Sequence, residues 1–355
     1  MSKQDMIINP LPMRTWNRLK MNEATLSGVS PEGSLAIETN LPQTAPDPAT
    51  AARMESIPGG AGSAVDRLAE EADPDVFFLE GSGKGTQEPA ILTLRHAGSR
   101  QTMNRIFLET PEDTEMTVYL DLGSEEGAQG LAILQTKAYL AKHSLLRLVQ
   151  IEHTGRGVDV LSDIGARCEE GARFELVQLF LGGDRIWSGY ETDLLGDESS
   201  CKTYIGYHLK EEQSLDMNYV ARHRGRRSDS LILAAGALSD RSRKLFRGTL
   251  DFIKGGKTAT GAEKEEVLLM NDAVVNQTIP LILCGEEDVA GSHGATIGKA
   301  DEEVLFYLTS RGISKENAYA MLAKAKLDGA LAHVVSPELK EMTQKAIEEF
   351  YGQAE

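Results

Sequence analysis

The chain has 355 residues, of which 41% are hydrophobic and 26% charged, as in a globular protein with a sizeable core. Its net charge of -17 argues against binding to nucleic acid or to an anionic membrane surface, because basic side chains recognise both. No apolar run approaches the roughly 20 residues of a membrane-spanning helix, and no signal-peptide pattern follows Met1, so we expect a cytoplasmic protein. The three cysteines are far apart and form no CxxC pair, which argues against a disulfide framework.

Residues 1–75 predict an N-terminal helical segment followed by a flexible arm. Residues 13–21 form an amphipathic stretch in which Trp16 and Leu19 share one helical face. Residues 22–62 are rich in Pro, Gly, Ala, Ser and Thr, a composition typical of an extended or poorly ordered arm.

Residues 63–72 predict a short helix that ends before Pro74, since proline cannot continue the hydrogen-bond ladder. Over residues 76–298 the apolar period is two, which predicts many short strands bounded by Gly, Asp, Asn or Ser. No helical pattern interrupts this region, so a doubly wound α/β fold is not expected, while a sandwich, a closed barrel and a β-helix all remain open. No exact repeat indicates a solenoid. The clearest runs are 116–122, 174–181, 203–209, 215–219, 230–235, 248–253 and 266–270.

Residues 299–355 predict a helical domain. Acidic residues begin its first helix, where the helix dipole favours them, and Val304, Leu305 and Leu308 form an apolar stripe. Gly312, followed by an isoleucine, predicts a left-handed C-cap with a hydrophobic contact.

Two further helices are predicted in this domain. Ser314 starts one of them, with Met321 and Leu322 on one face. Ser336 followed by Pro337 is an N-cap with proline at the first helical position, and the helix after it runs to about residue 351. We expect the terminal helices to bind a partner by laying an apolar stripe in a groove.

Two glycine-rich strings look like phosphate-binding loops. The string 81–86 lacks the first glycine of that motif, which would fall at Phe78, and its hydroxyl residue comes one position late. The string 255–258 contains Gly-Lys-Thr, but Asp251 stands where the first glycine belongs. Neither leads into an evident helix, so we interpret both as turns, and ATPase activity would have to come from a partner.

Histidines are the main candidates for metal or proton chemistry, although none of the seven has the spacing of a zinc site. His293 lies among small residues, after an acidic run, at the junction between the strands and the terminal helices. Its imidazole could bind iron or zinc or carry a proton, and from composition alone a structural role is favoured. Cys284 has the setting of a small core residue, and spacing does not fix whether it shares a face with His293. The basic run 223–227 is interpreted as a solvated turn whose arginines pair with carboxylates.

A set of motifs in the last third of the chain is more specific than any single residue. Their spacing, together with Leu11-Pro12 and Arg14-Thr15-Trp16 near the N-terminus, resembles the SufB/SufD family of iron–sulfur cluster assembly proteins. The motifs are Phe246-Arg247-Gly248-Thr249, Val267-Leu268-Leu269-Met270, the strand from Pro280, Asp288-Val289, His293-Gly294-Ala295-Thr296-Ile297-Gly298 and Leu305-Phe306-Tyr307-Leu308-Thr309-Ser310-Arg311-Gly312.

The details of the resemblance favour a short SufD-type chain. SufB-type chains carry a glutamate directly after the motif histidine and a functional cysteine further upstream, whereas this chain has Gly294 and Val274 at those positions. One departure from many SufD chains is Gly291, which stands where they have a cysteine two residues before the histidine. Thiol chemistry beside His293 would then come from Cys284 or from a partner.

The resemblance implies a right-handed parallel β-helix at 76–298, between the N-terminal segment and the C-terminal helical domain. It also implies a complex with a SufB-type subunit and two copies of the ATPase SufC. The terminal helices would dock SufC through Val304, Leu305, Leu308, Met321 and Leu322. His293 would face SufB near the site of cluster assembly, as an interface or metal ligand shared with the partner, and Cys284 is a weaker candidate. The chain alone would be non-catalytic and hold no tight cofactor, with a transient iron–sulfur cluster in the complex.

Three other functions remain open from the sequence. A SufB-like main scaffold would hold a cluster itself, although Gly294 and Val274 speak against it. A β-helix enzyme acting on polysaccharides would need an export signal and clustered acidic and basic residues on one exposed face. A homo-oligomeric binding module would have no metal role.

Overall fold

The computed structural model describes residues 4–15, 17–83 and 88–352. Its body is a parallel β-solenoid, in which the chain passes alternately through two sheets and each turn adds one strand to each sheet. The mainly β fold and the parallel β-helix implied by the resemblance are confirmed. Among the described helices, none has the length and apolar character needed to cross a membrane.

The strands are numbered in chain order. In spatial order, sheet 1 consists of β4 (Val76–Glu80), β6 (Ser99–Thr110), β8 (Gln129–Leu140), β10 (Val158–Cys168), β12 (Arg185–Leu194), β14 (Ser214–His223), β16 (Arg243–Phe252) and β18 (Val275–Cys284). Sheet 2 consists of β3 (Ile37–Thr39), which is antiparallel, β5 (Ala90–His96), β7 (Glu115–Ser124), β9 (Leu145–His153), β11 (Arg173–Phe180), β13 (Ser200–Leu209), β15 (Asp229–Leu238), β17 (Ala259–Leu269) and β19 (Val289–Gly298).

The length of a solenoid turn varies, which explains why the sequence shows no repeat. Val160 pairs with Ile186, 26 residues later, whereas Arg243 pairs with Val275, 32 residues later. The variation lies in the connecting corners, because paired strands within the body keep an even register. A search for a fixed period therefore fails, although every predicted strand run overlaps a strand.

Alternate side chains of each strand point between the two sheets and form the main hydrophobic core. Parallel, in-register pairing stacks similar side chains on one another. The ring of Tyr190 lies 5.3 Å from that of its register partner Tyr219 and 6.2 Å from that of Phe174 in the opposite sheet, measured between centroids. The space between the sheets, which we call the lumen, is therefore filled with side chains in the middle of the solenoid.

The N-terminal residues differ from the sequence-based expectation. Strands β1 (Gln4–Ile8) and β2 (Ala24–Val29) form an antiparallel hairpin, and the amphipathic helix predicted at 13–21 is wrong. Its described residues contain only a three-residue 3-10 turn, Asn17–Leu19, because Lys20 has a positive φ of 52° that ends any helix. Trp16 lies outside the described residues.

The predicted arm, residues 22–62, contains β2, β3 and the helix α1 (Pro48–Glu55). The short helix predicted at 63–72 is confirmed as α2 (Ser63–Ala72). The domain boundaries at 75 and 298 stay a prediction.

The N-terminal residues connect the first turns of the solenoid to the last: Leu35 joins the main core at the first turn, and other residues lie on the outer face of sheet 1. The backbone N–H of Leu35 donates to Asn104 Oδ1 (3.0 Å), and that of Ala61 donates to Asp163 Oδ1 (2.8 Å). Further along, the backbone carbonyl of Met21 accepts a hydrogen bond of 2.7 Å from Arg247 Nε on β16. We call this segment, residues 4–62 as far as they are described, the strap.

Three helices end the chain, as predicted: α3 (Glu302–Ser310), α4 (Lys315–Leu331) and α5 (Pro337–Gly352). The C-cap after α3 is confirmed, since Gly312 has a φ of 86° and the next amide donates to the Leu308 carbonyl. Helices α4 and α5 pack on the outer face of sheet 2, where Leu327 and Ala330 join a buried cluster with strand residues such as Tyr204.

Candidate functional site at the open end of the solenoid

The last turn of the solenoid consists of two edge strands, β18 and β19. Strand β18 pairs with β16 and β19 pairs with β17, and no other described strand pairs with their outer edges. Almost every residue of β19 is exposed. We call this surface the open end. Edge strands present unpaired backbone groups, and natural proteins usually cover them or pair them with another chain.

The pairing pattern shows which backbone groups of β19 are free. In a strand, the N–H groups of successive residues point to opposite sides. Thr260, whose side chain faces outward, donates its N–H to Ser228 of the preceding turn. The N–H groups of lumen-facing residues therefore point toward the following turn, which β19 does not have among the described residues. At the open end these free groups include the N–H of His293 and Ala295.

His293 lies on β19 in register with Glu263 of β17. Glu263 is buried and faces the lumen, so the His293 side chain lies on the lumen side of the last turn. The imidazole itself is exposed. The sequence-predicted histidine thus lies at the mouth of the solenoid, on the last strand before α3.

Cys284 also lies on the lumen side of the last turn, but at the far end of β18. Across the lumen, Ile282 is directly opposite Gly291, where an added Cβ would be 3.1 Å from Ile282 Cγ2. Cys284 of β18 is then opposite residue 289 of β19. Residue 289 is four residues from His293, which corresponds to roughly 13 Å along β19. The thiol is exposed, yet the structure does not bring Cys284 and His293 together.

A buried carboxylate lies directly beneath His293. Glu263 is 3% exposed, and its side chain reaches across the lumen to Gly248, where an added Cβ would be 2.8 Å from Glu263 Cγ. Burial, reinforced by the charge of Glu265, raises the pKa of Glu263 to about 7. Its Oε1 has no hydrogen-bond partner among the described residues. A proton can therefore be held within the last two turns of the lumen.

An ion pair beside Glu263 ties the last turn to the turn below. Lys244 and Glu265 are both fully buried and in direct contact. Lys244 Nζ donates to Thr278 Oγ1 on β18 (3.1 Å), and this hydroxyl donates to Glu265 Oε2 (2.6 Å). Burial lowers the pKa of Lys244 in spite of the neighbouring Glu265 carboxylate.

The sequence analysis missed these three charged residues. In the run Glu263-Lys264-Glu265-Glu266, only the alternation of the strand separates inner from outer positions. The described residues contain no group of three or more His, Cys, Asp or Glu side chains arranged to hold a metal ion.

Helix α3 has an exposed apolar surface and no buried residue. Val304 is 41% exposed, Phe306 75% and Tyr307 56%, and Met321 on α4 is 52% exposed. Leu305 and Leu308 are half-buried. Leu322 differs from the other predicted contact residues, because it packs against Leu268 in a small cluster and is only partly accessible. Phe306 and Tyr307 were not among the predicted contacts.

A groove of about 490 Å³ lies between these helices and sheet 2. Its apolar lining includes Leu233, Leu268, Val304 and Leu322. The α3 surface and this groove together form a continuous candidate docking region.

The other candidate motifs have structural roles. Residues 255–258 form a turn between β16 and β17 and lead into a strand, as interpreted, while residues 84–86 of the other glycine-rich string lie outside the described residues. In the basic run, Arg224, Arg226 and Arg227 pair with Asp193, Asp197 and Glu198 of the preceding turn, which confirms their pairing with carboxylates.

The family model described as SUF system FeS cluster assembly, SufBD core domain, matches residues 93–326, which include the open end, α3 and the first part of α4. The chain belongs to this family. The iron–sulfur cluster assembly protein SufD of Bacillus subtilis is 31% identical over 154 residues, 43% of this chain and 34% of that protein. SufD of Escherichia coli is 30% identical over 146 residues, 41% of this chain and 34% of that protein.

A SufBD family protein of Archaeoglobus fulgidus shows a longer match. It is 23% identical over 265 residues, 74% of this chain and 70% of that protein. The similarity to the two SufD proteins spans only about a third of their length.

Proposed function

We propose that this chain is a SufD-like scaffold subunit of the SUF iron–sulfur cluster assembly complex, with no catalytic activity of its own. It pairs with a SufB-type subunit through the open end. The observation that carries the proposal is the last solenoid turn, where the outer edges of β18 and β19 pair with no other described strand and His293 lies at the mouth of the lumen. A partner strand would satisfy the free backbone groups and cover the histidine. The same edges support a homodimer when the chain is alone.

His293 then supplies an imidazole at the subunit boundary, as a ligand to iron of the nascent cluster or as a proton carrier. The cluster is cargo and does not stay with this chain. Cys284, on the opposite strand β18, is displaced from His293 by roughly 13 Å along the strand direction, and Gly291 has no side chain. A thiolate beside His293 therefore comes from the partner.

The terminal helices dock the SufC-type ATPase in this proposal. An amphipathic helix with no buried residue has its apolar side free for a partner. Phe306 and Tyr307 are the largest exposed side chains on that helix. The energy of nucleotide hydrolysis comes from SufC, since the Gly255–Thr258 turn leads into a strand and offers no helix N-terminus for phosphate.

Ala295→Pro tests the pairing with SufB directly. Its N–H points away from β17, so proline removes a donor that only a partner strand would use, while the internal ladder keeps its hydrogen bonds. We expect the variant to fold with a circular dichroism spectrum like that of the wild type and to lose co-purification with the SufB-type subunit. Wild-type binding to SufB by this variant would refute edge pairing.

His293→Asn, with His143→Asn at an exposed distant turn as a control, tests the role of the imidazole. In a strain that depends on this protein, the first variant should assemble with its partners yet lose production of cluster-containing enzymes, and the control should not. Normal cluster production by His293→Asn would remove His293 from the proposal.

Removal of residues 299–352 tests the docking of SufC. The shortened chain should lose SufC while still binding SufB, because β18 and β19 are retained. Retention of SufC would place its docking surface elsewhere.

A further inference from the structure

A loop beside the open end stands out from the rest of the surface. Residues 11–15 and 17–22, which we call the rim loop, are closed at the base by a hydrogen bond of 2.7 Å from the Leu11 N–H to the Asn22 carbonyl. Leu11 and Met21 at this base pack on Ile279 of β18, which is only 1% exposed although it lies on an edge strand. The rim loop is thus attached to the strand that forms one half of the open end.

Hydrogen bonds from a buried arginine anchor the base of the rim loop. Arg247, which is fully buried, donates from Nε to the Met21 carbonyl (2.7 Å) and from Nη1 to Asp216 Oδ1 (2.7 Å). Within the loop, Asn22 Oδ1 accepts from the backbone N–H of Thr15 (3.1 Å). A loop held in one conformation loses little entropy on binding.

The exposed part of the rim loop carries apolar and cationic side chains. Met13 is 53% exposed and Leu19 57% exposed. Arg18 and Lys20 form no ion pair with any other described residue, and the loop contains no acidic residue. Arg14 is paired with Glu23.

Exposed arginines without an ion pair to another described residue occur elsewhere, as at Arg100 and Arg173, but the rim loop combines its cations with exposed apolar side chains. The net charge of the chain is -17, and exposed arginines of the solenoid turns typically pair with a carboxylate one turn away, as Arg185 does with Asp159 and Arg241 with Glu212. Arg18 and Lys20 lack such partners although acidic residues are abundant. Free cations and exposed apolar side chains on a preorganised loop are typical of the rim and the contact residues of a protein interface.

We infer that the rim loop is a second contact surface for the subunit that pairs with the open end, and that this subunit presents an acidic surface beside its own edge strand. The inference rests on the edge pairing proposed above. The continuity of the loop with β18 selects this occupant, because a chain that pairs with β18 lies next to the strand on which Leu11 and Met21 pack. The cations steer and orient the partner, and the apolar side chains hold it.

The test measures the rate constants for binding of the full chain to the immobilised SufB-type subunit at low and high ionic strength. Arg18→Glu with Lys20→Glu should lower the association rate constant roughly tenfold at low ionic strength, and the difference should nearly vanish at high ionic strength. Met13→Ser with Leu19→Ser should leave association nearly unchanged and raise the dissociation rate constant by about tenfold. All four side chains are exposed, so both variants should melt like the wild type.

Arg100→Glu with Arg173→Glu is the matched control, since both side chains are exposed on turns far from the open end. Rate constants for both loop variants that equal those of this control would overturn the inference. Only the rim-loop inference fails if three results occur together: the wild type binds, Ala295→Pro abolishes binding, and the loop variants bind normally. If the wild type does not bind the SufB-type subunit, the edge pairing and the inference fail together.

Discussion

Lys244→Met should destabilise the last turns of the solenoid strongly, although methionine nearly fills the space of the lysine. Glu265 is fully buried, and its charge is balanced by the Lys244 ammonium, with the Thr278 hydroxyl as its second partner. Removing the ammonium leaves a buried carboxylate with one neutral donor. Breaking a buried ion pair in this way costs about 3–5 kcal/mol, far more than the loss of an exposed pair.

The double variant Lys244→Met with Glu265→Gln separates this cause from a loss of packing. With both charges absent, the desolvation penalty disappears, and we expect the free energy of unfolding to return to within about 1 kcal/mol of the wild type. Glu265→Gln alone should be destabilising, because it leaves the Lys244 ammonium buried without its carboxylate. The pair should therefore show a large favourable coupling energy.

Urea denaturation followed by circular dichroism gives the global free energy. Hydrogen exchange of peptides from β16 and β17 gives the free energy of local opening. This second measurement is needed because the terminal turns of a solenoid can open before its middle. The reasoning is refuted if Lys244→Met costs less than about 1 kcal/mol, or if the double variant is no more stable than the worse single variant.

Three further outcomes follow from the structure. Glu263→Gln should raise the free energy of unfolding by roughly 2–3 kcal/mol at about pH 8 and lose that gain toward pH 5. Because the folded-state pKa of Glu263 is raised to about 7, its buried charge destabilises the wild type above that pH, and protonation removes this cost as the pH falls. Denaturation of both proteins at the two pH values checks this. Gly189→Ala should lower the free energy of unfolding by about 1–3 kcal/mol and expose the strap to proteolysis, since its Cβ would lie 2.1 Å from the Ala61 nitrogen. In the control Gly329→Ala, in α4, the new Cβ meets no atom within 4 Å, so this variant should melt at or above the wild-type temperature. Cys284 should react with an alkylating reagent in the folded chain while the buried Cys168 does not, and mass spectrometry showing the reverse would contradict the burial pattern.

Local sequence patterns predicted the strands and terminal helices well, because each depends on alternation or capping within a few residues. Gly312, Ser314 and Pro337 mark helix ends through their own backbone and side-chain chemistry, and the structure has helices ending and starting there. The motif resemblance supplied the β-helix, which alternation alone could not separate from a sandwich. The variable turn length hid the repeat.

The parts that failed depend on contacts between distant residues. The helix predicted at 13–21 is replaced by a loop whose conformation is fixed by Arg247, more than two hundred residues later in the chain. Strand pairing was needed to identify the buried charged residues as candidates. It places Glu263 under His293, and it places Lys244 and Glu265 beside Thr278. The sequence alone does not show which side of a short strand a charged residue faces; that follows only once the register is known.

The strap changes how this solenoid is made and kept together. In a simple repeat array each turn contacts only its neighbours, so folding can spread from any point and the ends can open independently. Here the strap finds its contacts on Asp163, Asp216 and Arg247, which are synthesised much later than the strap itself. The N-terminal segment must wait for most of the body, and its docking then links the early and late turns into one cooperative unit. Loss of the strap should therefore destabilise the open end first, where Arg247 binds the strap and Leu245 and Ile279 pack against it.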